Sequence, residues 1–420
     1  MGNRGTGTVK PIGGARRARR HAAAAVVLGA LMLVVTACGP NGGSKASSGS
    51  DDGKGGGAST SATDTTVSKA VVDIAPKDGA SNVATTGALK VSASNGKLSS
   101  VTVKDDKGNA VDGSIAADGL SWAPSGHLNT STEYTVDAAA KDSSGRESDK
   151  HATFTTVVPK DTFVGFFTPE DNSTVGVGME VYLNFNRPIT NKKAVEAGLS
   201  VTASPSVPIA GHWNGDTQLF FRPQDYWAAG TKVTLKLDLD GVEGAPGVYG
   251  KQNKSVHFTV ARRQVSVVDA AKHTMTVYRD NKVLKTIPIS SGAPDHTTYN
   301  GKMVISEKYI KTRMNGDTVG FGGEYDIPDV PHAMRLTNSG TFIHGNYWAA
   351  TSVFGHSNTS HGCVGLHDVR GAGDPDTPAA WFYNNSIIGD VVQVINSKDK
   401  TVQWYNGLNG WNMPWSEWTS

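Results

Sequence analysis

The chain has 420 residues, 38% hydrophobic and 19% charged, with two cysteines and a formal net charge of +2. That length supports several domains, and so few cysteines exclude a disulfide-stapled scaffold. Six of the 40 basic residues precede residue 21, a stretch without acids, so the rest carries 34 basic against 38 acidic residues, a net −4; a mildly acidic chain without Lys/Arg clusters is not a nucleic-acid binder.

Residues 1–37 read as an export signal. Arg4, Lys10, Arg16, Arg17, Arg19 and Arg20 form a cationic start, and Ala22 to Val35 is an apolar run too short to span a bilayer comfortably. It ends in Val35-Thr-Ala-Cys38, which resembles a lipobox. That resemblance implies that Cys38 is lipidated, becomes the first residue after cleavage and holds the protein to the outer face of the cell membrane. The alternative is an ordinary secretory signal with an incidental cysteine. After Cys38, residues 39–66 are Gly, Ser, Thr, Ala and Asp with almost nothing apolar. This predicts a flexible tether with an r.m.s. reach of roughly 30 Å.

An internal repeat follows. Ala75-Pro-Lys-Asp-Gly-Ala-Ser-Asn-Val83 is echoed by Thr168-Pro-Glu-Asp-Asn-Ser-Thr-Val175, Pro124 and Thr132 by Pro223 and Thr231, and Ala152-Thr-Phe154 by Val256-His-Phe258. Apolar residues alternate at Val101 and Val103, at Val181, Leu183 and Phe185, and at Val233, Leu235, Leu237 and Leu239. Period-two patterning with regular Gly/Asn/Asp turn signals predicts strands with one buried face. We expect two immunoglobulin-like β-sandwiches, over 67–159 and 160–262, acting as spacers. Trp122, Trp213 and Trp227 are expected as core or domain-contact residues, and no cluster of aromatics argues for carbohydrate binding.

From residue 263 to 397 the pattern predicts a third, β-rich domain. Gln264 to Ile289 reads as three strands with a hairpin turn at Asp280-Asn281. Further strands are expected at Lys302–Glu307, Gly340–His344 and Asp390–Ile395. One helix, Ala379–Asn384, follows Asp376-Thr-Pro378, a cap and a first-turn proline. Residues 398–420 form a Trp-rich extension. The fold class is mainly β.

The chemistry concentrates in Asn358-Thr-Ser-His-Gly-Cys-Val-Gly-Leu366. A thiolate nucleophile needs a base or cation to ionise it, open backbone around it and donors for the oxyanion it creates. His344 and His361 offer the first and Gly362 the second. The consecutive N–H groups of His361, Gly362 and Cys363 could supply the third. His356 and His367 read as surface or hydrogen-bonding histidines. Metal ligation is not expected, since no C-x-x-C or H-x-x-x-H pair is present.

Ile343-His-Gly-Asn-Tyr-Trp348 followed by Ser360-His-Gly-Cys-Val364 resembles the signature of the YkuD-type L,D-transpeptidases, a histidine and then [Ser/Thr]-His-Gly-Cys. The gap from His344 to Ser360 is 16 positions. The likeness extends through Trp381-Phe-Tyr-Asn384, Gly389-Asp-Val-Val392 and Gly407-Leu-Asn-Gly-Trp-Asn-Met-Pro-Trp415. It implies a cysteine acyltransferase of the cell wall that takes peptidoglycan stem peptides as donor and acceptor, forms 3→3 crosslinks, uses no cofactor and is acylated by carbapenem-type β-lactams. It assigns Cys363 as nucleophile, His344 as its proton partner and the Gly345 carbonyl as the group orienting His344. A lid over about 299–336 would carry Tyr325 and Met334 as substrate contacts, while Ser339, Gly340, Trp348 and Ser360 would line the pocket. Two departures stand out: Gly365 occupies a position where many relatives carry Asn or Arg, and the His344–Cys363 loop is one residue longer. The Thr-Leu-x-Thr-Cys strand of sortases is absent, and NlpC/P60 peptidases place cysteine before histidine. A non-catalytic wall-binding lipoprotein, or carboxypeptidase and exchange chemistry at the same site, remain as alternatives.

Overall fold

A computed structural model describes residues 67–420 of the protein, Phe321 excepted; the export signal, Cys38 and the tether lie outside the described residues. The first sandwich faces a sheet of strands Val71–Ala75, Lys90–Ser94, Ser121–Pro124 and Gly113–Ile115 with one of Ala80–Val83, Glu147–Thr156, Glu133–Lys141 and Lys97–Asp105. Inward residues of both sheets, among them Ile74, Val91, Trp122, Val136 and Phe154, form its core. The second sandwich repeats the plan with Gly165–Thr168, Val181–Phe185, Gln218–Pro223 and Ile209–Asn214 against Ser173–Val175, Asn253–Val260, Lys232–Asp238 and Leu199–Ser204. In each copy the short strand of the repeated motif joins the last long strand in parallel, so the sequence echo corresponds to an equivalent place in the sheet. Trp122 and Trp227 are buried, and Trp213 is half-buried against Phe185. A short helix, Lys192–Ala197, interrupts the second copy; its six residues carry too little periodicity to stand out in the sequence.

Residues 398–420 are not an appendage. Leu408, Trp411 and Trp418 join the core of the second sandwich, as does Val304 of the third domain. The Trp411 Nε1–H donates to Gly178 O at 2.7 Å and the Trp418 Nε1–H to Ala210 O at 3.0 Å. Arg222, only 2% exposed, lies over the rings of Trp411, Trp415 and Trp418 and donates to Met413 O at 2.8 Å. The second sandwich is therefore welded to the third domain through one apolar cluster, which departs from a pure spacer role.

Beside this cage Glu180 is fully buried, and burial pushes its carboxyl up to about 8 although the Arg222 charge pulls the other way. The folded value exceeds the unfolded one, so the protonated group contributes stability below the unfolded carboxylate range, and that contribution fades as pH rises toward 8. We expect the melting temperature of the wild type to fall more between about pH 5.5 and pH 8 than that of Glu180→Gln. Parallel pH profiles would exclude Glu180 as the titrating group.

The third domain is built on a nine-stranded sheet. Its strands are β1 Gln264–Asp269, β2 Thr274–Arg279, β3 Lys282–Ser290, β4 Gly301–Val304, β5 Glu307–Asn315, β6 Asp326–Arg335, β7 Phe342–Asn346, β8 Val364–His367 and β9 Val391–Ile395, in the order β4-β9-β1-β2-β3-β8-β7-β6-β5. Asp280 and Asn281 both take positive φ, 51° and 65°, as a two-residue turn matched to strand twist requires. The strand expected at Lys302–Glu307 is split: β4 pairs with β9 at one edge of the sheet, and β5 begins the hairpin at the opposite edge. Helix α1, Pro378–Asn385, is capped by the Thr377 side chain with proline at its start and buries Phe382 in the core. Two neighbours matter most for function. Strands β7 and β8 run parallel with His344 opposite Gly365, and β5 and β6 form a hairpin whose Met314, Tyr325 and Ile327 line the same cavity as His344.

Candidate active site

Cys363 sits one residue before β8. Period-two alternation puts it on the face of Gly365, and hence of His344 across the parallel pair. The turn that delivers it needs glycine: Gly362 has φ +103°, a conformation that L side chains rarely adopt. Ser360 braces this turn, its hydroxyl donating to Cys363 O at 2.6 Å and accepting from Gly362 N at 3.2 Å. That engagement takes the Gly362 N–H out of the expected run of three oxyanion donors.

Cys363 is 9% exposed and packs among Val330, Ala333 and Phe342. Burial pushes its thiol up to about 11, while the Phe342 N–H, 3.4 Å from Sγ, and the Arg335 charge pull the other way. The thiol hydrogen points to Gly340 O at 3.6 Å. His344 is buried too, and burial lowers its pKa against the smaller raising effects of Gly345 O and Asp368. Its Nδ1 lies 2.9 Å from Gly345 O. A carbonyl can only accept, so Nδ1 carries the hydrogen and Nε2 is left with its lone pair. Burial thus opposes charge on both groups, raising the thiol and lowering the imidazole. An imidazolium that preforms the thiolate, the expectation from the motif, is disfavoured because neither charge is solvated here.

Cys363, His344, Tyr325, Trp348, Ser360 and His361 line one cavity. Trp348 stacks on His344 with ring centroids 5.6 Å apart, and Tyr325 packs against His361 at 5.1 Å. Four expectations need correction. Met334 is fully buried in the sheet core and cannot touch substrate, because its position in β6 points it inward. Ser339 is tied to Asn406 through its amide at 3.0 Å and its hydroxyl at 2.8 Å, and it contributes nothing to the cavity wall. The lid is narrower than 299–336, since β4 lies at the opposite edge of the sheet and, of that stretch, only the β5–β6 hairpin lines the cavity. Gly340, expected in the pocket wall, lines a neighbouring cavity instead and meets the site only through its carbonyl, 3.6 Å from Cys363 Sγ. Gly365 leaves the space beside it to Asn346, whose side chain stands within 3.4–3.5 Å of where a Cβ would be.

Sequence reasoning missed a supporting layer. Asp368, 3% exposed, accepts from His332 Nδ1 at 2.8 Å, from the helix-capping Thr377 hydroxyl at 2.9 Å and from Val369 N at 2.8 Å. Its carboxylate lies against Gly345 so closely that a Cβ there would overlap it, with 2.7 Å to the Asp368 Cβ. Gly345 is thus required by close approach. Gly345→Ala is expected to cost about 1–3 kcal/mol by overpacking and, by moving the carbonyl that sets the His344 tautomer, to slow acylation at least tenfold. Thermal melts and acylation rates together check this; an unchanged rate would remove the orienting role. No local pattern marks Asp368 or His332, which meet only because β6 and the end of β8 are brought together. His296 and Glu324, also unsuspected, stand beside His361: His361 Nε2 is 3.0 Å and His296 Nε2 3.5 Å from Glu324 Oε2.

Comparison with known proteins accords with this geometry. Residues 263–394 match the family model described as the L,D-transpeptidase catalytic domain, and residues 80–243 match that of a bacterial Ig domain. L,D-transpeptidase 2 of Mycobacterium tuberculosis is 31% identical over 346 residues, covering 81% of this chain and 82% of the relative. L,D-transpeptidase 5 of the same species is 30% identical over 352 residues, covering 82% and 75%. A solved structure of the LD transpeptidase LdtMt1 in complex with imipenem superposes at 26% identity with TM-score 0.47, over 57% of this chain and 100% of that one. With 31% identity to L,D-transpeptidase 2 over 81% of this chain and 82% of that relative, and a cysteine and histidine lining one cavity of the matched domain, the chain belongs to the L,D-transpeptidases.

Proposed function

We propose that this enzyme forms 3→3 crosslinks in peptidoglycan through a thioester on Cys363. The observation that carries the reading is the cavity shared by Cys363 and His344, with His344 held as the Nδ1–H tautomer and therefore a base at Nε2. As sulfur attacks the carbonyl carbon between the third residue of a donor stem, a diamino acid, and the D-Ala at position four, the thiol proton passes to His344 Nε2. The tetrahedral oxyanion rests against the Cys363 N–H. When the C–N bond breaks, D-Ala leaves with the proton from His344 and a thioester remains. The side-chain amine of a second stem then attacks, yields a proton to His344, and the C–S bond breaks; the released thiolate recovers that proton. The Phe342 N–H steadies the thiolate in both half-reactions, and the apolar wall under the β5–β6 hairpin keeps water from competing with the amine.

The test is to digest cell walls made with and without the protein and look for 3→3 dimers by mass spectrometry. Dimers that depend on the protein support the reading. Equal dimer content with altered stem lengths would replace it by carboxypeptidase or exchange chemistry, and no difference at all by a wall-binding role.

The enzyme works outside the cytoplasm, on the cell wall. We further propose that Cys38 is lipidated and that residues 39–66 tether the enzyme to the membrane. Cys38→Ala is expected to shift the protein from the detergent to the aqueous phase on partitioning; unchanged partitioning removes the anchor.

A further inference from the structure

One constellation beside the catalytic turn brings together three segments of the chain. His296 lies in the loop after β3, Glu324 in the hairpin tip and His361 in the turn before Cys363. The donor atoms of all three fall within 4.8 Å of one another. Both imidazoles aim Nε2 at the same oxygen, Glu324 Oε2, at 3.0 and 3.5 Å. Their rings are stacked, with centroids 4.8 Å apart and planes 29° from parallel, so the two nitrogens lie on one side of the cluster. The arrangement is braced by backbone: the Ala293 N–H donates to Ser360 O at 2.8 Å, fixing the His296 loop to the catalytic turn. The side chains of His296 and His361 are 27% and 34% exposed and that of Glu324 48%, which leaves the cluster open to solvent at the cavity rim.

Tetrahedral coordination with bonds of about 2.0–2.2 Å sets ligand atoms roughly 3.3–3.6 Å apart. Two of the separations already approach that spacing, and rotation of one part-exposed imidazole brings in the third, between the two histidine nitrogens, which is at most 4.8 Å. Two imidazoles and a carboxylate are a donor set that zinc-class ions accept, with a fourth position left for water. We propose that His296, Glu324 and His361 form a site for a divalent transition-metal ion, and that the bound ion clamps the hairpin tip onto the catalytic turn and slows acylation. Exposed ion pairs restrain such a tip weakly, whereas one ion bonded to three segments fixes it. Tyr325 follows Glu324 in the chain and packs on His361, so the clamp holds this ring across the mouth of the cavity that contains Cys363. The binding half of the proposal is independent of the acyl-transfer reading; the inhibitory half rests on it.

The test uses full-length protein in detergent, titrated with Co²⁺ while ligand-field absorption is followed, and then with Zn²⁺ as competitor. Wild type and Cys363→Ala are expected to show the same intense tetrahedral band, displaced by Zn²⁺. His296→Gln and Glu324→Gln are each expected to weaken binding at least about tenfold, the scale at which even outer partners of a metal site act. Loss of the band in Cys363→Ala with retention in the other two would make the thiolate the ligand and overturn the site, as would the absence of any band. In parallel, Zn²⁺ is expected to slow carbapenem acylation of the wild type at least fivefold, reversibly with chelator, and to leave Glu324→Gln within twofold of its own metal-free rate. Binding without slowing overturns the clamp. Failure of acylation in metal-free wild type would instead count against the acyl-transfer reading, with the cobalt titration still deciding the site.

Discussion

Incubated with a carbapenem, the wild-type protein is expected to gain the mass of one ring-opened inhibitor per chain, and Cys363→Ala none. Of the two cysteines, only Cys363 lies in the catalytic domain, and it lines one cavity with His344. Burial holds the free thiol up to about 11, so reaction depends on handing its proton to His344 Nε2 at the moment of attack. Removing that base should then cost more than it would in an enzyme with a resident thiolate. We expect His344→Ala to acylate about 10²–10⁴ times more slowly, the usual worth of a positioned general base, with its circular dichroism unchanged. An adduct on Cys363→Ala would remove the nucleophile assignment, and equal acylation rates for His344→Ala and wild type would remove the base.

Trp418→Ala is expected to destabilise the protein by about 3–5 kcal/mol, the range for emptying a fully buried indole site. Trp418 has no exposed surface. It closes the cage over Arg222, whose guanidinium carbon lies 4.3 Å from its ring centroid, and its backbone oxygen lies 2.9 Å from His212 Nδ1. Because the cage joins the second sandwich to the catalytic domain, the loss should appear as a lower denaturant midpoint for the unit containing both. A change below about 1 kcal/mol, ordinary for an exposed position, would show that the tail merely lies on the surface.

Much of this was legible in the chain. The alternating apolar runs of the sandwiches, the Asp280-Asn281 hairpin and the capped helix after Thr377 are local patterns, and local backbone preferences suffice to produce them. That Cys363 and His344 would share one cavity could be read for a related reason: both belong to short motifs whose residue types already suit thiol chemistry. Boundaries slipped where strands meet turns. The expected Gly340–His344 strand is Phe342–Asn346, since the tight turn closed by the Leu336 N–H to Thr341 O bond occupies the preceding residues.

What remained hidden depends on packing between distant segments. Met334 and Tyr325 read alike as lid residues, yet the pleat of β6 buries one and the hairpin tip presents the other. Asp368 and His332 are ordinary residues until two strands bring them beneath Gly345. The tail tryptophans could have been a surface patch, and only the groove of the second sandwich makes them core. The charge state of the catalytic pair was likewise beyond the motif, because desolvation sums over every element that covers a group. Residue identity and local period thus determined that this chain makes sandwiches and carries a cysteine acyltransferase motif. The tertiary structure alone decided that burial opposes charge on Cys363 and His344, which residues surround His344, and that two histidines and a glutamate meet beside Cys363, since each of these follows from long-range proximity and excluded water.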